Sequence, residues 1–155
     1  MNWKELETKY VEERVAIMRH LVKIYGSGVI EEARKAKAEV ICRRVKRCLP
    51  QPADMERIYQ FVFREFERVN EVIEYEVMER LPTFMEIKVT GCWWADLYRR
   101  LGAEDIGYEL VCRMDFDWAP YLNPRLKFTR TKTLMQGDDH CDHTYELPSS
   151  SPPKR

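Results

Sequence analysis

The hydrophobic period of the chain changes at Asn70, and this change restricts the fold more than any other feature. Before it, apolar residues recur at helical spacing. After it, Val72–Val77 and Phe84–Val89 alternate strictly, with Leu-Pro-Thr between them. A period of 3.6 buries one stripe of a helix, whereas a period of two buries one face of a strand. The two alternating runs therefore predict a β-hairpin. Upstream, Trp3–Tyr25 predicts an amphipathic helix through Leu6, Tyr10, Val15, Met18, Leu21 and Val22, closed at Gly26-Ser-Gly28 where glycine permits a left-handed cap. Val29–Cys48 predicts a second helix, with Ile30, Ala33, Ala38, Ile41, Cys42 and Val45 as its inner stripe, stopped at Pro50-Gln-Pro52. Asp54 caps a third helix that runs to about Arg68, with Ile58, Phe61, Val62 and Phe66 inward.

Downstream of the hairpin, helical spacing returns from Cys92 to Leu101, breaks at Gly102 and resumes from Glu104 through Asp117. Pro120 and Asn123-Pro124 close that segment. Leu126–Met135 alternates again, Gln136-Gly-Asp-Asp reads as a turn, and His140–Leu147 completes a second hairpin. Short, separated strands of this kind cannot form a parallel βαβ array. The expectation is an α+β domain: N-terminal helices packed on an antiparallel sheet of about four strands in two hairpins, with an inserted helical pair. Residues 1–147 form this single domain, and the Ser/Pro-rich residues 148–155 form a disordered tail.

A chain of 155 residues can bury a core without disulfides or a structural metal. Its formal net charge of zero gives no electrostatic support for general polyanion binding, so nucleic acid is not an expected partner. The basic run Ala33–Arg47 and the acidic Asp54–Glu79 read as solvated faces. No apolar run is long enough to span a bilayer, and the charged N-terminus does not read as a signal peptide. Five cysteines, an odd number, point to free thiols in a reducing cytoplasm.

Three of those cysteines and two of the three histidines fall between Lys88 and Tyr145, which makes this half the place to look for chemistry. Cys92 stands where a strand gives way to a helix. Unpaired amides and the helix dipole there favour a thiolate and a lowered thiol pKa, against the alternative of a core cysteine beside Trp93 and Trp94. Cys112 and Asp115 are three apart on a helix and share a face. Asp115 lies in an apolar neighbourhood, where a carboxylate is either partnered or raised in pKa. In His140-Cys141-Asp142-His143, strand alternation sets His140 and Asp142 on one face and Cys141 and His143 on the other, so only one pair can face a cavity. Cys92, Cys112, Cys141 and a histidine could together form a zinc site, although no Cys-x-x-Cys pair is present. Metal occupancy and cofactor need stay open, with zinc as the main alternative to none. Phosphate-binding loops, Gly-x-Ser-x-Gly and His-Glu-x-x-His are missing from the sequence.

Several ordered blocks carry a resemblance. They are Glu74–Val77, Val89-Thr-Gly-Cys92-Trp-Trp-Ala-Asp96, Leu101-Gly102, Ile106–Asp115, Leu122-Asn-Pro124 and Arg130–Asp142. In these blocks the chain resembles the L-2-amino-thiazoline-4-carboxylic acid hydrolase family. The resemblance implies hydrolysis of a cyclic 2-aminothiazoline carboxylate to N-carbamoyl-cysteine, with a small-molecule substrate and a homo-oligomer left open. It implies catalytic roles among Cys92, Cys112, Asp115, His140, Cys141 and Asp142. Arg130 is then a clamp for the substrate carboxylate, with Trp93 and Asn123 as further substrate contacts. Gly91 stands where the family often carries arginine, and His143 where phenylalanine is common. More distantly, the fold resembles small-ligand-binding domains related to vinyl reductases. A non-catalytic ligand- or metal-binding module is therefore the alternative.

Overall fold

The computed structural model describes residues 1–149. Helix α1 (Trp3–Tyr25) begins in a reciprocal cap: the Asn2 side chain accepts from the Glu5 amide, and the Glu5 carboxylate accepts from the Asn2 amide, both at 2.9 Å. Gly26, at φ 86°, ends it. Helix α2 spans Gly28–Cys48, and α3 spans Met55–Gln60 behind an Asp54 cap that accepts from the Arg57 amide.

The third helix does not run unbroken to Arg68 as expected. It passes into a π-helical turn, Phe61–Glu65, closed by the Phe66 amide on the Phe61 carbonyl at 2.9 Å. Glu67 and Arg68 then take left-handed backbone before the single turn α4 (Val69–Val72). The wider turn lets three consecutive side chains, Phe61, Val62 and Phe63, enter the core, which regular helical spacing would forbid.

Strands β1 (Ile73–Leu81) and β2 (Phe84–Cys92) form the first hairpin, longer than the alternation alone suggested. Met85, Ile87 and Val89 point inward. Strands β3 (Lys127–Thr129) and β4 (Cys141–Glu146) complete an antiparallel sheet of order β1-β2-β4-β3. Only three residues of the expected strand Leu126–Met135 join the sheet. Beyond Thr129 the backbone amides find side-chain partners instead of a ladder: Thr131 and Lys132 donate to the Asp142 carboxylate, and Thr133 donates to Asp138. The second pair of strands is therefore joined by an eleven-residue crossing with a 3₁₀ turn at Leu134–Gln136, not by a tight turn.

The inserted helical pair is α5 (Trp93–Arg100) and a longer segment. That segment comprises α6 (Glu104–Gly107), a π-helical turn (Tyr108–Cys112) and α7 (Met114–Leu122). Pro120 does not close the last helix as expected but lies inside it. Burial of Trp118, Ala119 and Leu122 holds the final turn despite the missing amide. The fold is thus α+β, with N-terminal helices and an open four-stranded antiparallel sheet. Of the expected tail, Pro148 and Ser149 carry no regular structure, and residues 150–155 lie outside the described residues.

Two hydrophobic clusters hold the molecule together. One joins the ends of α2 and α7 and the segment 53–66 to the sheet through Leu49, Ile58, Phe63, Met85, Ile87 and Leu122. The other joins α1 to α5 and α6 through Val11, Leu97, Tyr98 and Ile106. No helix among the described residues is long and apolar enough to cross a membrane.

Candidate functional site

A cavity of about 660 Å³ opens at the seam between the two clusters. Its apolar wall includes Val62, Phe63 and Phe66 from the first π-helical turn and its end, together with Val89, Trp118 and Tyr145. Helix α1 contributes Trp3, Leu6, Glu7 and Arg14. The second π-helical turn presents the consecutive residues Val111 and Cys112, followed by Met114 and Asp115. The end of β2 and the start of β4 supply Cys92, Cys141 and His143, and the loop after β3 supplies Arg130.

The polar residues of this wall form one connected group. Asp115 accepts from Arg130 Nη1 at 2.5 Å and from Trp118 Nε1 at 3.1 Å. The Arg130 side chain is 2% exposed, and its Nη2 donates to the Cys112 carbonyl at 2.8 Å. The guanidinium also stacks over Phe116 and Phe128, at 5.2 and 5.8 Å from the ring centroids. Cys141 Sγ accepts from the Leu134 amide at 3.2 Å. His143 packs edge-on to Phe128, and its Nδ1 is buried without a hydrogen-bond partner.

The charge states differ from the sequence expectation. Cys92 does cap α5, but burial outweighs the amides of Ala95 and Trp94, and the thiol rises to about 11 instead of falling. Burial pushes Cys112 well up despite Arg130, and it raises Cys141 as well. All three therefore stand as neutral thiols near neutral pH. Burial likewise holds His143 down at about 4, so its imidazole is neutral. All five cysteines are free. Among the described residues, no three His, Cys, Asp or Glu side chains form a metal-holding group, so the expected thiolate–imidazole zinc set does not assemble.

The structure brings Cys92, Cys112, Asp115, Arg130 and Cys141 to one cavity and leaves four other candidates off its wall. His140 turns outward and pairs with Asp139 at 2.7 Å. Asp142 is occupied by the Thr131 hydroxyl and the amides of Thr131 and Lys132, so its work is to pin the loop that carries Arg130. Asn123 is buried, donating to the Ala53 carbonyl and accepting from the Arg125 amide, both within the backbone framework. Trp93 packs on Trp3 while its neighbour Trp94 lines the cavity.

Two cavity residues escaped the sequence reading. His143 registered only as a departure from the family pattern. Lys37 was taken for part of a solvated basic face. Yet it lies one helical turn from both Ala33 and Ile41, on the inner stripe of α2, and that spacing was the available signal.

An α+β domain with an internal cavity at the junction of its helical and sheet cores is the class this architecture defines. Within it, the chain belongs to the L-2-amino-thiazoline-4-carboxylic acid hydrolase family, whose model matches residues 3–145. No curated protein is detectably similar in sequence. Among solved structures, the phenol-responsive sensory domain of the transcription activator PoxR, with phenol, is similar in fold. The TM-score is 0.54 at 10% identity, covering 88% of this chain and 73% of that one.

Proposed function

We propose that the protein is a hydrolase that opens a small cyclic amidine or thiazoline ring, with 2-aminothiazoline-4-carboxylate to N-carbamoyl-cysteine as the type reaction. The observation that carries this reading is Asp115, a carboxylate fixed by Arg130 and Trp118 on the wall of a cavity otherwise furnished with neutral groups. Each carboxylate oxygen keeps acceptor capacity beyond the bond it already makes. Asp115 can therefore take a proton from water adding to the ring carbon between nitrogen and sulfur. The carbon–sulfur bond then breaks with its electron pair on sulfur, and the proton returns to give the thiol. Because the cavity thiols are protonated, the nucleophile in this scheme is water and not Cys92. The five free thiols support a reducing, cytoplasmic setting.

The test is thiol release from 2-aminothiazoline-4-carboxylate, read with a chromogenic disulfide against a blank without substrate. Asp115→Asn should lose about a hundred- to ten-thousand-fold in turnover, the usual contribution of a general base. Cys92→Ser should keep most of it. Equal loss in both folded variants would return the nucleophile role to Cys92. A second reading, a ligand-binding module without turnover, is favoured by the raised thiols and by the fold shared with a phenol-responsive sensory domain. Thermal stabilisation by the compound with no thiol released would select that reading.

A further inference from the structure

Lys37 brings an ammonium group into the cavity wall without a carboxylate partner. Its Nζ donates to the Leu110 carbonyl at 2.7 Å, which leaves two of its three donors unspent. Among the described residues no carboxylate lies within ion-pairing distance of it, whereas Arg130 is already matched by Asp115. Arg14, from α1, adds a second positive charge to the same wall, with its own partner Glu7 at 3.8 Å. An unmatched cation away from water is costly, and a lysine relieves the cost by releasing its proton. Burial, together with Arg14, holds Lys37 down at about 8.

We propose that Lys37 forms a carboxylate-binding subsite of the cavity, so that the ligand is a compact organic acid whose anionic group sits on Lys37 while its ring lies toward Asp115. The type substrate named above depends on the hydrolase reading; the subsite depends only on the position of Lys37. It also relieves Arg130 of the clamp role, since that guanidinium is committed to Asp115 and the Cys112 carbonyl.

The proposal is tested by calorimetric binding of two pairs that differ only in the acid group: benzoate with benzamide, and 2-aminothiazoline-4-carboxylate with 2-aminothiazoline. At pH 7 the wild-type protein should prefer the acid of at least one pair by about tenfold or more, the scale of one charge-assisted hydrogen bond. Lys37→Met should erase that preference with the neutral compound bound as before, and Lys37→Arg should retain it. A second readout needs no variant. Acid affinity in the wild type should fall above pH 8 as Lys37 loses its charge, while affinity for the neutral compound stays level. The charged groups facing Lys37 are Arg14 and Glu7 from α1, Glu67, and Asp115 from α7. A preference that survives in Lys37→Met, or no preference for either acid in the wild type, overturns the subsite. Preference for benzoate alongside no thiol release from the thiazoline would overturn the hydrolase reading and leave the subsite standing.

Discussion

His143 concentrates the physics of this cavity in one side chain. Its imidazole is enclosed on β4, its Nδ1 has no partner, and burial holds it down at about 4 against an ordinary value near 6.5. Between those two values the unfolded chain binds a proton that the folded chain refuses, so stability must fall as pH drops from about 6.5 to about 4. The full effect is on the order of 3 kcal/mol. His143→Phe removes the titrating group and fits the neighbouring Phe128 and Tyr145 rings. Denaturant unfolding at pH 7 and pH 4.5 should show a markedly smaller acid loss in the variant than in the wild type. An equal loss would mean that the imidazole is already hydrated. Cys92 teaches the complementary lesson. Its place at a strand-to-helix junction could be read from sequence, but its charge state could not, because desolvation depends on what three other elements pack against it.

At the scale of elements, the two π-helical turns decide which side chains meet. Each inserts one residue into a helix and rotates everything after it by about 100°, the angle per residue of an α-helix. That is how Val111 and Cys112, adjacent in sequence, both come to line the cavity. The approach of α6 to α5 that makes this possible depends on Gly107. A methyl group there would lie 2.5 Å from Tyr98 Cγ and 2.8 Å from Met135 Sδ, and Tyr98 is fully buried. Gly107→Ala should destabilise the protein by about 1–3 kcal/mol through overpacking. It should lower the urea midpoint while leaving the slope unchanged. A stability within error of the wild type would show that the Met135 loop yields without cost.

Seen whole, the molecule is two cores with a cavity along their junction, and α1 belongs to one core while walling the cavity. Its attachments are few. Trp3 Nε1 donates to Glu71 at 2.8 Å, and Arg19 grips Asp105 and the Gly102 carbonyl. A ligand in the seam adds contacts to both cores at once. It should raise stability by about 2.7 kcal/mol at a hundredfold excess over Kd and slow amide exchange along Trp3–Arg14. Mass-spectrometric hydrogen exchange with and without 2-aminothiazoline-4-carboxylate checks this. Protection confined to the sheet would show that α1 does not close over the site.

Local pattern determined a good deal about this protein. Hydrophobic period placed the helices and the first hairpin, Asn2, Asp54 and Gly26 marked helix ends through their own backbone chemistry, and the motif blocks pointed to the family. These signals are local, since each depends on residues within a turn or two. What they could not reach was anything set by contacts between distant segments. Whether residues 130–133 form a strand turns on a carboxylate, Asp142, ten residues away. Whether Cys141 and His143 or His140 and Asp142 face the cavity turns on how β4 docks against β2. Whether Lys37 is a surface charge or a cavity charge turns on α1 and α7 closing over it. Only the tertiary structure decides such questions, because burial and charge pairing belong to the packed molecule and not to any one segment.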